Sequence, residues 1–140
     1  KSLISFTLNI PGPVKVLTDV PEAFASGCQR IETLLKDRLV LIQHMETIKE
    51  KTGYEAFYSV DANPDFIKEL MVSLEDQDRL GRLFDIDVLR PDGSKVSRED
   101  MGSAPRTCLL CGQPAHVCSR SRRHSVAELT AEIGKILSGL

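Results

Sequence analysis

Between Phe84 and Val88 the chain alternates apolar and acidic residues, Phe84-Asp85-Ile86-Asp87-Val88. Period two is the period of a β-strand, so Phe84, Ile86 and Val88 leave one face while Asp85 and Asp87 leave the other. Such a segment calls for a sheet with a buried face and an open one. A chain of 140 residues, 41% of them hydrophobic, can supply the core that covers that face within one domain.

The flanking sequence supplies the rest of an α+β pattern. Leu3 to Ile10 is β-branched and of strand length, and Pro11-Gly12-Pro13 ends it because neither proline can donate to a ladder. With Thr18 or Asp19 as cap, Phe24, Cys28, Ile31, Leu34 and Leu35 recur at helical spacing to about Asp37. Leu39 to Ile48 and Tyr54 to Val60 read as a hairpin about Lys51-Thr52-Gly53. Asn63-Pro64 opens a second helix with Phe66, Ile67, Leu70, Met71 and Leu74 as its buried stripe. The Leu83–Leu89 strand follows, then the turn Pro91-Asp92-Gly93-Ser94 and an antiparallel return through Lys95-Val96-Ser97. Ser125 caps a last helix with an apolar stripe of Val126, Leu129, Ile133, Ile136 and Leu137. The expected fold is a single α+β domain, 1–140, on a mixed or antiparallel sheet. Its core is 1–100, and 101–140 is a Cys-rich loop with a C-terminal helix.

The net charge of −2 gives no global attraction to nucleic acid, and the absence of Trp argues against a base-stacking platform. Positive charge is local: residues 101–140 carry five basic against two acidic residues (+3), the first hundred 13 against 18 (−5). No apolar run approaches the ~20 residues of a membrane helix. Four cysteines are too few for a disulfide scaffold, and the reading is a cytoplasmic chain without nucleic-acid or membrane partners. Cys28 and His44 read as partly buried packing residues.

Three features carry chemistry. Asp85 and Asp87, about 7 Å apart on one face, repel unless a cation lies between them, and Mg²⁺ accepts such a pair together with substrate phosphates. Gly81 allows close backbone approach to a phosphate and Arg82 can clamp it. Two solvated acids on an exposed strand are the plain alternative. The second feature is Cys108-x-x-Cys111-x(6)-Cys118-x(5)-His124, which offers four tetrahedral Zn²⁺ ligands, with His116 a competing fourth; a packed cluster of reduced thiols fits the spacing as well. The third is the basic run Arg120-Ser121-Arg122-Arg123 ahead of the last helix, either a solvated charge run or, with Arg98 and Arg106, a phosphate site.

Taken together, Leu3-Ile4-Ser5-Phe6-Thr7-Leu8-Asn9-Ile10-Pro11-Gly12-Pro13-Val14-Lys15, Gly81 to Val88, Ser97-Arg98, Arg106-x-Cys108-Leu109-x-Cys111, Cys118-x-Arg120 and His124 resemble the apo-citrate lyase phosphoribosyl-dephospho-CoA transferases. The family's Gly-Arg-x-x-Asp-x-Asp-Val motif, likened to those of nucleotidyltransferases, falls on Gly81, Arg82, Asp85, Asp87 and Val88. The resemblance implies a nucleotidyltransferase-like domain. Its substrate would be 2′-(5″-triphosphoribosyl)-3′-dephospho-CoA, and it would attach the phosphoribosyl-dephospho-CoA group to a serine of the acyl-carrier (gamma) subunit of citrate lyase, releasing diphosphate. On that reading Asp85 and Asp87 hold Mg²⁺ and Arg82 joins them in catalysis. Lys15, Gly81, Arg98, Arg106 and Arg120 bind the substrate, and Asp87 is a candidate acceptor for the serine proton. The carrier protein of malonate decarboxylase is an alternative acceptor, and a zinc-containing binding module without catalysis is an alternative function. Family members carry an Arg-Glu-x-x-Arg-like stretch ahead of the Leu-Ile-Ser-Phe strand. This sequence begins at that strand, so that N-terminal segment is expected to be missing.

Overall fold

The computed structural model describes residues 1–10, 19–103, 106–111, 113–115, 117–118 and 124–138. Pro11-Gly12-Pro13, Lys15, Thr18, His116, Arg120, Arg122 and Arg123 lie outside the described residues. The elements run β1 (Ser2–Leu8), α1 (Val20–Asp37), β2 (Ile42–Glu50), β3 (Gly53–Val60), α2 (Pro64–Glu75), β4 (Phe84–Leu89) and α3 (Val126–Ser138). The strands form one sheet in the order β2-β3-β1-β4, antiparallel at each junction. The fold is therefore α+β with a purely antiparallel sheet, which decides between the two arrangements the sequence allowed.

Helix ends follow local chemistry. Asn63 Oδ1 accepts the Asp65 N–H at 2.8 Å with Pro64 in the first turn. Ser125 and Glu128 make a reciprocal capping box, Glu128 N–H to Ser125 Oγ at 3.1 Å and Ser125 N–H to Glu128 Oε1 at 3.0 Å. Asp19 precedes α1 in the left-handed region (φ 71°) and makes no side-chain cap. At the other end of α1, Leu39 is left-handed (φ 59°), its N–H bonds Lys36 O, and the Val40 N–H bonds Leu35 O. That six-to-one closure, with Val40 and Leu35 both buried, is a Schellman stop. It delays β2 to Ile42, three residues beyond the expected start at Leu39.

One face of the sheet carries the core. Ile4 and Phe6 of β1, Ala56, Tyr58 and Val60 of β3, and Phe84, Ile86 and Val88 of β4 pack with Phe24, Ile31 and Leu35 of α1 and Ile67, Met71 and Leu74 of α2. Ile133, Ile136 and Leu137 of α3 join them. Phe6 lies at the centre, stacked on Phe24 with ring centroids 5.3 Å apart and edge-on to Phe84 at 5.2 Å.

Some expectations are corrected. Phe66 and Val126 were assigned to buried stripes but are 38% and 52% exposed, because each sits at the first turn of its helix, beyond the edge of the core. His44 lies on β2, the outermost strand of the sheet among the described residues, and its side chain is exposed rather than packed. Lys95 to Ser97 returns antiparallel as expected but forms no strand: it makes an isolated Leu89–Lys95 bridge, with bonds from Arg90 N–H to Ser94 O and from Val96 N–H to Val88 O.

Gly27 of α1 faces Phe6 so closely that a Cβ there would run into the ring. Gly27→Ala should therefore cost about 1–3 kcal/mol by overpacking. A urea unfolding midpoint equal to that of the parent would contradict this.

Candidate active site

β4 is an edge strand, and side chains take the outward backbone groups of its first half. Phe84 O accepts from Arg106 Nη1 at 2.6 Å, Ile86 N–H donates to Glu75 Oε2 at 3.0 Å, and Ile86 O accepts from Lys68 Nζ at 3.1 Å. Lys68 and Glu75 come from the inner side of α2 and are 6% and 3% exposed. Glu75 also receives Arg98 at 2.7 Å through Oε1 and faces Arg106 at 3.6 Å, and Arg98 turns its remaining donors to Asp76. The carboxylate partners hold the Arg98 guanidinium above its ordinary value although burial opposes this. Sequence reasoning missed Glu75 and Lys68. Their one signal was a charged residue at a helical interval from apolar neighbours, which an exposed face gives equally well.

The turn before β4 is pinned too. Asp78 Oδ1 accepts the Gly81 N–H at 2.8 Å and pairs with Arg30 at 3.0 Å, and the hydrogen bond from Arg30 holds this carboxyl below its ordinary range, burial opposing and Gly81 assisting. Gly81 is buried against the end of α2, where a Cβ would strike the Leu74 carbonyl. Its lack of a side chain thus serves helix packing.

With β4 fixed in this way, Asp85 and Asp87 stand on the face of the sheet opposite the core. Register sets Asp85 beside Thr7 and Asp87 beside Ser5, with Glu55 and Phe57 one strand further on. Asp85 is held above the usual carboxylate range by partial removal from water and by repulsion from Asp87 and Glu75, with Arg106 and Lys95 acting against this. Lys95 Nζ approaches Asp87 Oδ2 at 3.4 Å. Two adjacent carboxylates under mutual repulsion, with hydroxyls beside them, are a donor set suited to a hard divalent cation.

Two hollows share Asn9 as a lining residue, and Asp85 lines the smaller. One of about 220 Å³ is lined by Asp85, Thr7, Asn9, Thr52 and Glu55. The other, about 620 Å³, has Arg82, Arg106 and Thr107 on one side and Leu129 and Ile133 of α3 on the other. Arg82 uses Nη2 to hold Thr107 O, Thr107 Oγ1 and Cys108 O at 3.0–3.1 Å, and its Nη1 and Nε have no hydrogen-bond partner among the described residues. Arg106 is committed to the carbonyls of Phe84, Gly81 and Arg82. Arg82 and Arg106 thus share a cavity, whereas Arg98 is bound to α2 on the far side of Glu75.

The cysteines converge as well. One ligand atom from each of Cys108, Cys111, Cys118 and His124 lies within 4.8 Å of the others, a group able to hold a metal ion. None of the chain's cysteines is in a disulfide. Burial pushes the Cys118 thiol up to about 11, assisted by Cys111 and Cys108; at Cys108 burial is outweighed by N–H groups of Leu110 and Cys111, which draw the thiol down.

The fold is thus an α+β domain with two carboxylates on the sheet face opposite the core and a separate cavity walled by Arg82 and Arg106. The sequence profile of the apo-citrate lyase phosphoribosyl-dephospho-CoA transferases (CitX) matches residues 1–139, and the chain belongs to that family of transferases. A Streptococcus pyogenes serotype M18 protein named probable apo-citrate lyase phosphoribosyl-dephospho-CoA transferase is 39% identical over 97% of this chain and 71% of its own length. A Vibrio cholerae serotype O1 (strain M66-2) protein of the same name is 39% identical over 94% of the chain and 74% of its own. The Leuconostoc mesenteroides protein named CitXG is 35% identical over 96% of the chain, which spans 29% of that longer protein.

Two stability outcomes follow. Glu75→Ala removes the buried carboxylate shared by Arg98 and Arg106 and leaves the Ile86 N–H without its acceptor, and should cost about 3–5 kcal/mol in chemical denaturation. Asp85 binds its proton more tightly in the folded chain than in the unfolded one, so its ionised form lowers stability at neutral pH. Asp85→Asn should therefore melt at or above the parent at pH 7. The gap should close as acid protonates the parent; a variant melting clearly below the parent at pH 7 would overturn the assignment.

Proposed function

We propose that this chain transfers the phosphoribosyl-dephospho-CoA group from 2′-(5″-triphosphoribosyl)-3′-dephospho-CoA to a serine hydroxyl of the acyl-carrier subunit of citrate lyase, in the cytoplasm. The serine oxygen attacks the phosphorus next to the ribose, the bond from that phosphorus to the terminal diphosphate breaks, and the serine proton passes to a carboxylate. The observation that carries the reading is the placement of Asp85 and Asp87 together on the sheet face opposite the core, within the motif that the family resemblance assigns to this chemistry.

Asp85 and Asp87 are the residues that would hold Mg²⁺, which when bound neutralises charge on the phosphoryl oxygens and on the departing diphosphate. Repulsion between the two carboxylates is relieved by a cation and fits them to that role. Asp87, which the Lys95 ammonium approaches at 3.4 Å, is the acceptor for the serine proton. Arg82 keeps Nη1 and Nε for an anionic ligand while Nη2 anchors it to Thr107 and Cys108. Arg106 and Arg98 act at one remove: they hold β4 and the end of α2, and Arg106 adds positive potential near Asp85. Gly81 seats the motif turn on α2. Lys15 remains a phosphate-binding candidate through the resemblance, and Arg120 through the resemblance and the basic run it belongs to.

Intact-mass spectrometry of the apo acyl-carrier subunit, incubated with the precursor, Mg²⁺ and this protein, should show addition of one phosphoribosyl-dephospho-CoA group. Asp85→Asn and Asp87→Asn should each lower the rate about 10²–10³-fold with unchanged circular dichroism. No mass shift on citrate lyase's subunit alongside modification of malonate decarboxylase's carrier would reassign the acceptor. Undiminished turnover in either variant would remove the aspartates from the mechanism.

A further inference from the structure

We propose that Cys108, Cys111, Cys118 and His124 form a structural Zn²⁺ site that clasps the 106–118 segment to the start of α3. The local fold is built for it. An antiparallel bridge between Thr107 and Pro114, with bonds from Cys108 N–H to Gln113 O and from Ala115 N–H to Arg106 O, both at 2.8 Å, closes a hairpin carrying Cys108 and Cys111. Within it the Leu110 N–H points to Cys108 Sγ at 3.5 Å, the kind of bond that supports a sulfur carrying negative charge. Cys118 comes in from beyond the hairpin, its Sγ 3.5 Å from that of Cys111. His124 arrives from the residue before the α3 cap.

The spacing suits one tetrahedral ion. Zinc–sulfur bonds of about 2.3 Å place the ligand atoms of a tetrahedron roughly 3.7 Å apart, and the four atoms here lie within 4.8 Å of one another. The imidazole supplies the second, independent observation. His124 Nε2 is buried and has no hydrogen-bond partner among the described residues, while Nδ1 faces Glu128 Oε2 at 4.0 Å. A cluster of packed thiols leaves that nitrogen unsatisfied. A metal ion satisfies it, and a carboxylate behind the other ring nitrogen is the usual support for a histidine ligand. Three sulfurs and one nitrogen in a closed tetrahedron select zinc over magnesium or calcium, which prefer oxygen. On binding, three thiol protons go to solvent, and the filled site carries one net negative charge.

The clasp reaches the candidate active site through the backbone. Arg82 Nη2 is held by the carbonyls of Thr107 and Cys108, so the residue that ligates the ion through its sulfur also fixes the motif arginine through its oxygen. The metal site itself is independent of the transfer reaction, and its test reads no activity.

Full-length protein purified without chelators should carry about one zinc per chain by elemental analysis. Replacement by Co²⁺ should give the visible bands of a tetrahedral thiolate complex. Cys111→Ser and His124→Ala should each lose most of the zinc, and stripping the parent with a chelator should lower its melting temperature. If the variants fail to fold, the zinc content and the cobalt spectrum of the parent decide the matter. Less than about a tenth of an equivalent of zinc, together with an octahedral cobalt spectrum, would overturn the proposal.

Discussion

The buried carboxylate of Glu75 is the contact on which the site rests. An edge strand presents unpaired backbone groups to whatever lies beside it, and water or another chain would ordinarily take them. Here α2 covers the edge of β4 with two charged side chains rather than apolar ones: Glu75 takes the Ile86 N–H and Lys68 the Ile86 carbonyl. Burying a carboxylate is costly unless it is paired and fully bonded. Glu75 meets that condition by drawing in Arg98 and Arg106, and Arg106 returns to the Phe84 carbonyl. The result is a closed circuit that locks the twist and register of the strand whose other face carries Asp85 and Asp87.

That lock matters because ionised Asp85 works against stability. Asp85 is surrounded by negative charge from Asp87 and Glu75 and is partly withdrawn from water. A strand free to slip by one residue would turn both acids inward and the apolar set outward. Phe6, packed between Phe24 and Phe84, and the Glu75 circuit hold the two sides of β4 in place. The cost is concentrated where a cation and an anionic substrate would recover it, a common pattern at functional sites.

Arg82 connects this core to the C-terminal segment. It follows the buried Gly81, its backbone carbonyl receives Arg106, and its side chain holds the carbonyls at the start of the cysteine hairpin. The larger cavity lies at this junction, with arginines on one wall and the apolar side of α3 on the other. Its shape therefore depends on how 106–118 is tied to α3. No helix among the described residues is long and apolar enough to cross a membrane.

Much of this was legible from the chain alone, wherever one segment contains its own reason. The alternation at Phe84–Val88 placed both acids on one face, and Asn63-Pro64 and Ser125 marked helix starts that the hydrogen bonds reproduce. Cys-x-x-Cys with Cys118 and His124 set out a ligand group that converges in space. Other features have no local cause. Nothing local marks Glu75 and Lys68 as buried, because their partners, Ile86, Arg98 and Arg106, lie 11 to 31 positions further along the chain. Phe66 and Val126 kept the helical period yet fell outside the core, since periodicity defines a stripe but not where its cover ends. Sequence determined which elements form and which face each presents, through backbone periodicity and capping. Tertiary structure decided which charges are buried, because a buried charge persists only where distant residues arrive to complete its bonds.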